Sequence, residues 1–282
     1  MLYQWIRLFF SDNGTLTDYS LENQSEVDTV PLAMDISQDY FYLGQHYPFN
    51  NFFVQVDTAN AVSNSITIQY WGGKNTEWVD AVDIIDGTKS GGASFAKSGV
   101  VQFSPNTTNV WHEVSDTRNE PQPLGLETID IYNMYWIRFK FTVNPTGGAA
   151  VNRIAYAFTQ SQQLDNIDVT IDQFLDSFES GKTDWNNEIM TASLQLVYDL
   201  KRRGLIIHQG QVLRFDDVSM AADLRTLMLI YRNLGPGYQT KLEQTSREYD
   251  NALSLTRFSF DQNQDGFLSK GELFNSIAKL VR

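Results

Sequence analysis

The clearest chemical pattern in this chain lies near its end, in residues 261–272. These residues place oxygen donors at the spacing a hard divalent cation requires. Asp261, Asn263, Asp265, Ser269 and Glu272 occupy loop positions 1, 3, 5, 9 and 12, and Phe267 at position 7 would offer its backbone carbonyl. Gly266 stands at position 6, where the chain must turn sharply, and Leu268 at position 8 is apolar. The match to the EF-hand pattern is complete and predicts a structural calcium ion as cofactor. Ser269 and Glu272 also spell a capping box that would start a helix without metal. The two readings are compatible, because an EF-hand loop ends inside its exiting helix. Half of the six positions are carboxylates and the loop has no second copy, so the expected Kd is on the order of 10⁻⁵ to 10⁻³ M. Dockerin modules carry such a loop twice.

Other reactive chemistry is sparse. His46, His112 and His208 have no metal-ligand spacing to one another. His112 and Glu113 begin like a zinc-protease helix, but the second histidine is missing. With no cysteine there is no disulfide, thiolate metal site or cysteine nucleophile. No nucleophile elbow, phosphate loop or dinucleotide fingerprint is present. The sequence therefore predicts no catalytic residues and a non-enzymatic protein. A pair of separated carboxylates, as in glycosidases, would leave no local signature. The aromatic residues Tyr70, Trp71, Trp78, Trp111, Tyr135 and Trp136 suggest either core filling or a sugar-stacking platform. Neighbours such as Tyr70 and Trp71 point to opposite faces of a strand, so some of these rings must leave the main core face.

The elements that would position these residues fall into two halves. Residues 1–164 read as an antiparallel β-sandwich. Runs at 51–56, 65–71, 79–85, 99–103, 135–143 and 153–158 are rich in Val, Ile, Tyr, Phe and Trp and are separated by Gly, Asn, Asp and Pro turns. Residues 116–128, with Pro121 and Pro123, read as a long loop. Residues 165–282 read as a helical domain. Helices are expected at 170–178, 183–203, 217–233 and 238–258, with a small hairpin at 205–215 and an exit helix at 271–280. Gly204 and the Gly235, Pro236, Gly237 run supply two of the stops. The fold class expected is thus α+β in two domains, with the calcium loop inside the second.

Net charge is −13, heavier in the first half. That argues against a nucleic-acid-binding face, which would be basic. The one basic cluster, Lys201, Arg202 and Arg203, precedes Gly204 and is explained by the helix C-terminus. Residues 1–14 lack the features of an export signal, and no run approaches the ~18 apolar residues of a spanning helix. The expectation is synthesis in the cytoplasm and no membrane association.

Two groups of segments carry a family resemblance. In the first half they are residues 46–50, 68–71, Trp78 with Val79, 86–88, 98–100 and 135–138. In the second they are the helices between residues 169 and 255, with an extended segment at 205–215. Their order resembles virion structural proteins of tailed bacteriophages, the second half resembling head-to-tail connector (adaptor) proteins. The resemblance implies a neck subunit linking portal to tail, assembled as a homo-oligomeric ring such as a dodecamer. It implies the portal, the tail or other neck proteins as partners, and location in the virion. DNA would pass through the channel without specific binding, and an acidic wall would avoid trapping it. The other function the sequence suggests is a calcium-dependent binding module of a tail or baseplate, recognising a glycan or host receptor.

Overall fold

Strand alternation puts a layer of phenylalanine between two sheets. The computed structural model describes residues 6–25, 27–72, 77–106, 111–114, 123, 125–129, 133–213, 215–255, 259–261 and 272. The strands are β1 (Arg7–Asp12), β2 (Thr15–Asp18), β3 (Val30–Pro31), β4 (Tyr40–Gln45), β5 (Asn51–Thr58), β6 (Ile66–Gly72), β7 (Glu77–Asp80), β8 (Val82–Asp86), β9 (Gly99–Ser104), β10 (Tyr135–Phe141) and β11 (Ala150–Ala155). One sheet has the order β2-β1-β4-β10-β6-β7 and the other β3-β11-β5-β9-β8. All pairings between these strands are antiparallel.

Phe139 of β10 is the centre of the layer. Its ring lies 5.2 Å from Phe41 of β4, 5.7 Å from Phe52 of β5 and 5.8 Å from Phe95. The contact with Phe52 joins the two sheets, and all four rings are buried. Residues one step along β10 face the other way. There Trp136 joins Phe9, Tyr42, Trp71, Val114, Leu126 and Met134 in a second buried cluster. Gly44 makes room for it. A Cβ at that position would sit 2.6 Å from the Trp136 indole.

Asn23 and Asn60 replace missing backbone partners. The Asn23 side chain accepts from the Ile154 N–H (2.5 Å) and donates to the Ile154 carbonyl (2.8 Å), much as a neighbouring strand would. Asn60, 1% exposed, donates to the carbonyls of Val62 and Ser94 and to the Asn64 side chain. It accepts from the N–H groups of Val62 and Thr146. Three loops at one end of the sheets are thereby tied together.

The run 79–85 is not the single strand its composition suggests. Ala81 donates to the Ile68 carbonyl at 2.9 Å and ends β7, which pairs with β6. The chain then enters the other sheet as β8, beside β9, with Asp83 at φ 52° inside a register shift. A bulge of this kind bends a strand, here as the chain changes sheets. The run 153–158 is likewise cut short, because Tyr156 and Phe158 leave the sheet. Of the expected long loop, residues 123 and 125–128 carry no strand, in keeping with that reading, and residues 116–122 and 124 lie outside the described residues.

From Tyr156 the chain belongs chiefly to a second compact unit. Its helices are α1 (Ser161–Ile167), α2 (Leu175–Phe178), α3 (Asn186–Arg202), α4 (Phe215–Leu234) and α5 (Gln239–Leu255). Helix α1 is absent from the sequence reading. It is brief, and only Leu164 is buried, so its apolar period is too weak to see. Helix α3 ends in a Schellman motif at Gly204 (φ 69°). The N–H of Leu205 reaches the Leu200 carbonyl at 3.0 Å, and that of Gly204 the Lys201 carbonyl at 2.9 Å. Gly235 (φ 89°) and Pro236 close α4. Among the described residues no helix is long and apolar enough to cross a membrane.

Phe139→Ala should lower the unfolding free energy of the strand unit by about 3–5 kcal/mol, the usual cost of emptying a buried phenylalanine site. Urea unfolding followed by tryptophan fluorescence measures this. An unchanged midpoint would mean that the ring layer is not the core.

Candidate functional site

The segment that leads into residues 261–272 is built from the turn between α3 and α4. The expected hairpin at 205–215 is not formed. A 3-10 turn covers Gln209–Gln211, and Phe215 already starts α4. The reason is the Gln211 side chain, which is buried at 4% exposure. Its Oε1 accepts from the N–H groups of Ile207 (2.5 Å) and His208 (3.3 Å), replacing the bonds a facing strand would supply. Tyr156 secures the other end by donating to the Val212 carbonyl at 3.2 Å.

Gln211 also holds Asp261, at two points. Its Nε2 donates to the Asp261 carbonyl at 3.0 Å, and its own carbonyl accepts from the Asp261 N–H at 2.9 Å. Two residues earlier the Ser259 N–H donates to Asp217 Oδ2 at 3.0 Å, and Phe260 between them is buried. Residues 259–261 are thus fastened to the Gln209–Gln211 turn and the first turn of α4. Asp261 and Glu272, the first and last of the ligand positions expected from the sequence, are 1% and 6% exposed. Buried carboxylates require hydrogen-bond donors or cations about them. Asn263, Asp265, Phe267 and Ser269 lie outside the described residues, as does the expected exit helix at 271–280 apart from Glu272. Among the described residues no group of three or more His, Asp or Glu stands ready to hold a metal.

Three aspartates of the helical unit, which the sequence reading passed over, form its other polar sites. Asp168 ends α1 and accepts from Tyr231 (2.7 Å), Lys241 (2.7 Å) and the Thr170 hydroxyl (2.6 Å). Burial opposes its ionisation, but the Lys241, Thr170 and Tyr231 donors outweigh that and hold its carboxyl well below the usual range. Asp199 on α3 accepts from Tyr249 of α5 at 2.7 Å and pairs with Arg225 of α4 at 3.6 Å, joining three helices. Burial, and then donation to Asp199, pushes the Tyr249 phenol up. Asp223 on α4 has an opposite character. Burial pushes its carboxyl up to about 7, although the Thr159 hydroxyl donates to it. No sequence spacing links these groups, which is why they could not be found by pattern.

The aromatic residues are core rings. Tyr70, Trp71, Trp111 and Trp136 are each at most 3% exposed, so they do not make an open platform. Trp71 and Trp136 occupy the outer cluster, in keeping with the need for a second interface. Trp78 and Tyr135 are half-buried. Trp78 and Tyr40 bracket the Arg138 guanidinium, at 4.8 and 4.1 Å from the ring centroids, and Arg138 Nε donates to Gln69 at 2.7 Å. Of the basic cluster, Lys201 and Arg202 lie in the last turn of α3, and Arg203 pairs with Asp250 at 3.1 Å. His46 Nδ1 lies 2.9 Å from the Asn133 carbonyl, and His208 is buried beside the Gln209–Gln211 turn.

The class these features define is an α+β protein with two antiparallel sheets, mostly strands in its first half, and helices in its second. Comparison with family models, with curated proteins and with solved structures finds no match for this chain.

The raised Asp223 carboxyl has a thermodynamic consequence. Its folded value lies above the unfolded one, so its contribution to stability is full below about pH 4 and is lost as pH rises through about 7. The loss is at most roughly 4 kcal/mol. Asp223→Asn should remove this slope, so that the variant gains on the wild type between pH 5 and about pH 8 in urea unfolding. Parallel pH profiles for the two proteins would refute the assignment. Asp168→Asn should behave oppositely. A depressed carboxyl stabilises above its unfolded value of about 4, so the cost of the substitution should shrink as pH falls below that.

Proposed function

We propose that this chain is a structural, non-enzymatic subunit of a tailed-phage neck, a connector that assembles as a closed ring between portal and tail. The observation that carries the reading is apolar exposure on the helical unit. Ile167, Val169, Tyr198, Ile207 and Met220 are between 43% and 83% exposed. Single exposed apolar residues are ordinary. Five of this size beside α1, α3, the 3-10 turn and α4 suit a unit that buries them against further copies. The charged groups support the same reading. Asp168 and Asp199 spend their oxygens on tyrosine, lysine and arginine partners that lock helices together. The strand unit would contact another virion component. Calcium at residues 261–272 would act as a staple for the last helix, with Asp261 and Glu272 as the buried ends of its ligand set.

Light scattering on the recombinant chain at micromolar concentration, with negative-stain imaging, tests the assembly. A closed ring is expected. Val169→Asp and Tyr198→Asp together should shift it to monomer while leaving helical circular dichroism intact. A wild type that stays monomeric alone and with portal protein would sink the proposal. For calcium, the wild type should gain about 2.7 kcal/mol of unfolding free energy at a hundredfold excess over Kd. Glu272→Ala should lose most of that gain.

A further inference from the structure

We infer that the side-chain proton of Asp223 is a working part of the clasp that starts α1. With it, Asp223 donates to Thr159 and Thr159 donates to Gln163; without it, the clasp loses a hydrogen bond. The first turn of α1 is thereby a proton-dependent element of the helical unit, independent of the ring and calcium readings above.

Hydrogens are fewer than acceptors at this point. The Thr159 hydroxyl is fully buried and carries one hydrogen. Three oxygens face it: Asp223 Oδ1, Gln163 Oε1 at 3.3 Å and the Gln160 carbonyl at 3.5 Å. Gln163 cannot reverse its amide to supply the missing donor. Its Oε1 already accepts from the Gln160 N–H at 3.2 Å, one half of the capping box of α1, and a reversed amide would set N–H against N–H. The group left to bring a hydrogen is the Asp223 carboxyl. Protonated, it donates to Thr159 Oγ1, and the Thr159 hydrogen is then available to Gln163 Oε1. Ionised, it can only accept, so it takes the Thr159 hydrogen and the bond from Thr159 to Gln163 is lost. Asp223 and Thr159 are 6% and 0% exposed, so bulk water does not make up the difference at this end.

The surroundings supply no charge that would hold Asp223 ionised. Helix α4 is packed by α1, α2, α3, α5 and the Pro236–Tyr238 turn. On α1, Asp165 is another carboxyl, raised by burial and then by Asp172. On α2, Asp176 accepts from the Gly181 N–H. On α3, Asp199 is engaged with Tyr249 and Arg225, and Glu188 with Lys182. On α5, Lys241 is engaged with Asp168, and Asp250 with Arg203. Tyr238 stacks on Tyr231. What acts on Asp223 is burial, which pushes its carboxyl up to about 7, and then the Thr159 hydroxyl. The folded value lies above the unfolded one, so the clasp is complete at lower pH and is lost as pH rises through about 7. Ile167 ends α1 and Val169 follows it, 43% and 83% exposed. The proton therefore sets how firmly the segment presenting these two residues is held.

The experiment is amide hydrogen exchange of the full chain at about pH 5.5 and about pH 8.5, on either side of the transition. Protection of Gln163 and residues 165–168, divided by the intrinsic rate at each pH, is read against that of α4. In the wild type, protection of α1 relative to α4 should fall about three- to tenfold at the higher pH, the worth of one hydrogen bond. Asp223→Asn, whose amide donates at every pH, should hold α1 at its low-pH protection throughout. Thr159→Val keeps the side-chain shape and removes the relay, so α1 protection should be low at both pH values. A merely buried acid would lower α1 and α4 together and leave their ratio flat. A flat wild-type ratio overturns the clasp, and that measurement needs no variant to fold. Thr159→Val with the wild-type pH dependence overturns it as well.

Discussion

Buried backbone polar groups left without a ladder or helix partner must find one elsewhere, and among the described residues amide side chains such as Asn23, Asn60 and Gln211 supply several of them. Asn23 completes the ladder at Ile154, Asn60 ties three loops, and Gln211 closes the turn before α4. The energetics explain why amides occupy these places. A satisfied hydrogen bond contributes only about 0.5–1.5 kcal/mol net, but a stranded buried group costs about 1–3 kcal/mol. An amide carries a donor and an acceptor on one rigid plane, so it can serve two backbone groups at once. Irregular segments become possible wherever such a side chain is placed, and the route of the chain follows from that.

The aspartates show the same constraint with charge added. Asp168 and Asp223 sit in one helical unit, yet their carboxyls are driven in opposite directions. What separates them is donors rather than depth alone. Asp168 has an ammonium, a phenol and a hydroxyl directed at it, enough to keep it ionised. Asp223 has the Thr159 hydroxyl, which is too little to offset desolvation. The first is a fastening between α1, α4 and α5, while the second is a group the helical core tolerates best when neutral.

Much of the element order was legible from residue types. Residues 65–70 and 137–143 alternate most cleanly and fall largely within β6 and β10, each with one face on the phenylalanine layer. Gly204 and Gly235 mark helix ends because positive φ is cheap only there. Failures occurred where a local pattern was outweighed by a distant partner. Apolar runs at 205–207 and 212–215 look like strands, but Gln211 takes the hydrogen bonds that would have made a ladder. The run 79–85 looks continuous, but Ala81 is bound to Ile68 and the two ends serve different sheets.

The sequence by itself determined the class of the fold and the spacing of six oxygen positions at 261–272. Both follow from short-range rules, the period of side chains along a strand or helix and the order of residue types within one loop. Only the tertiary structure decided that Asp261 and Glu272 are buried and that Asp261 hangs from Gln211. It alone showed Trp136 lying over Gly44 rather than in water. Burial and long-range hydrogen bonds depend on which segments meet in space, and no periodicity within a segment encodes that meeting.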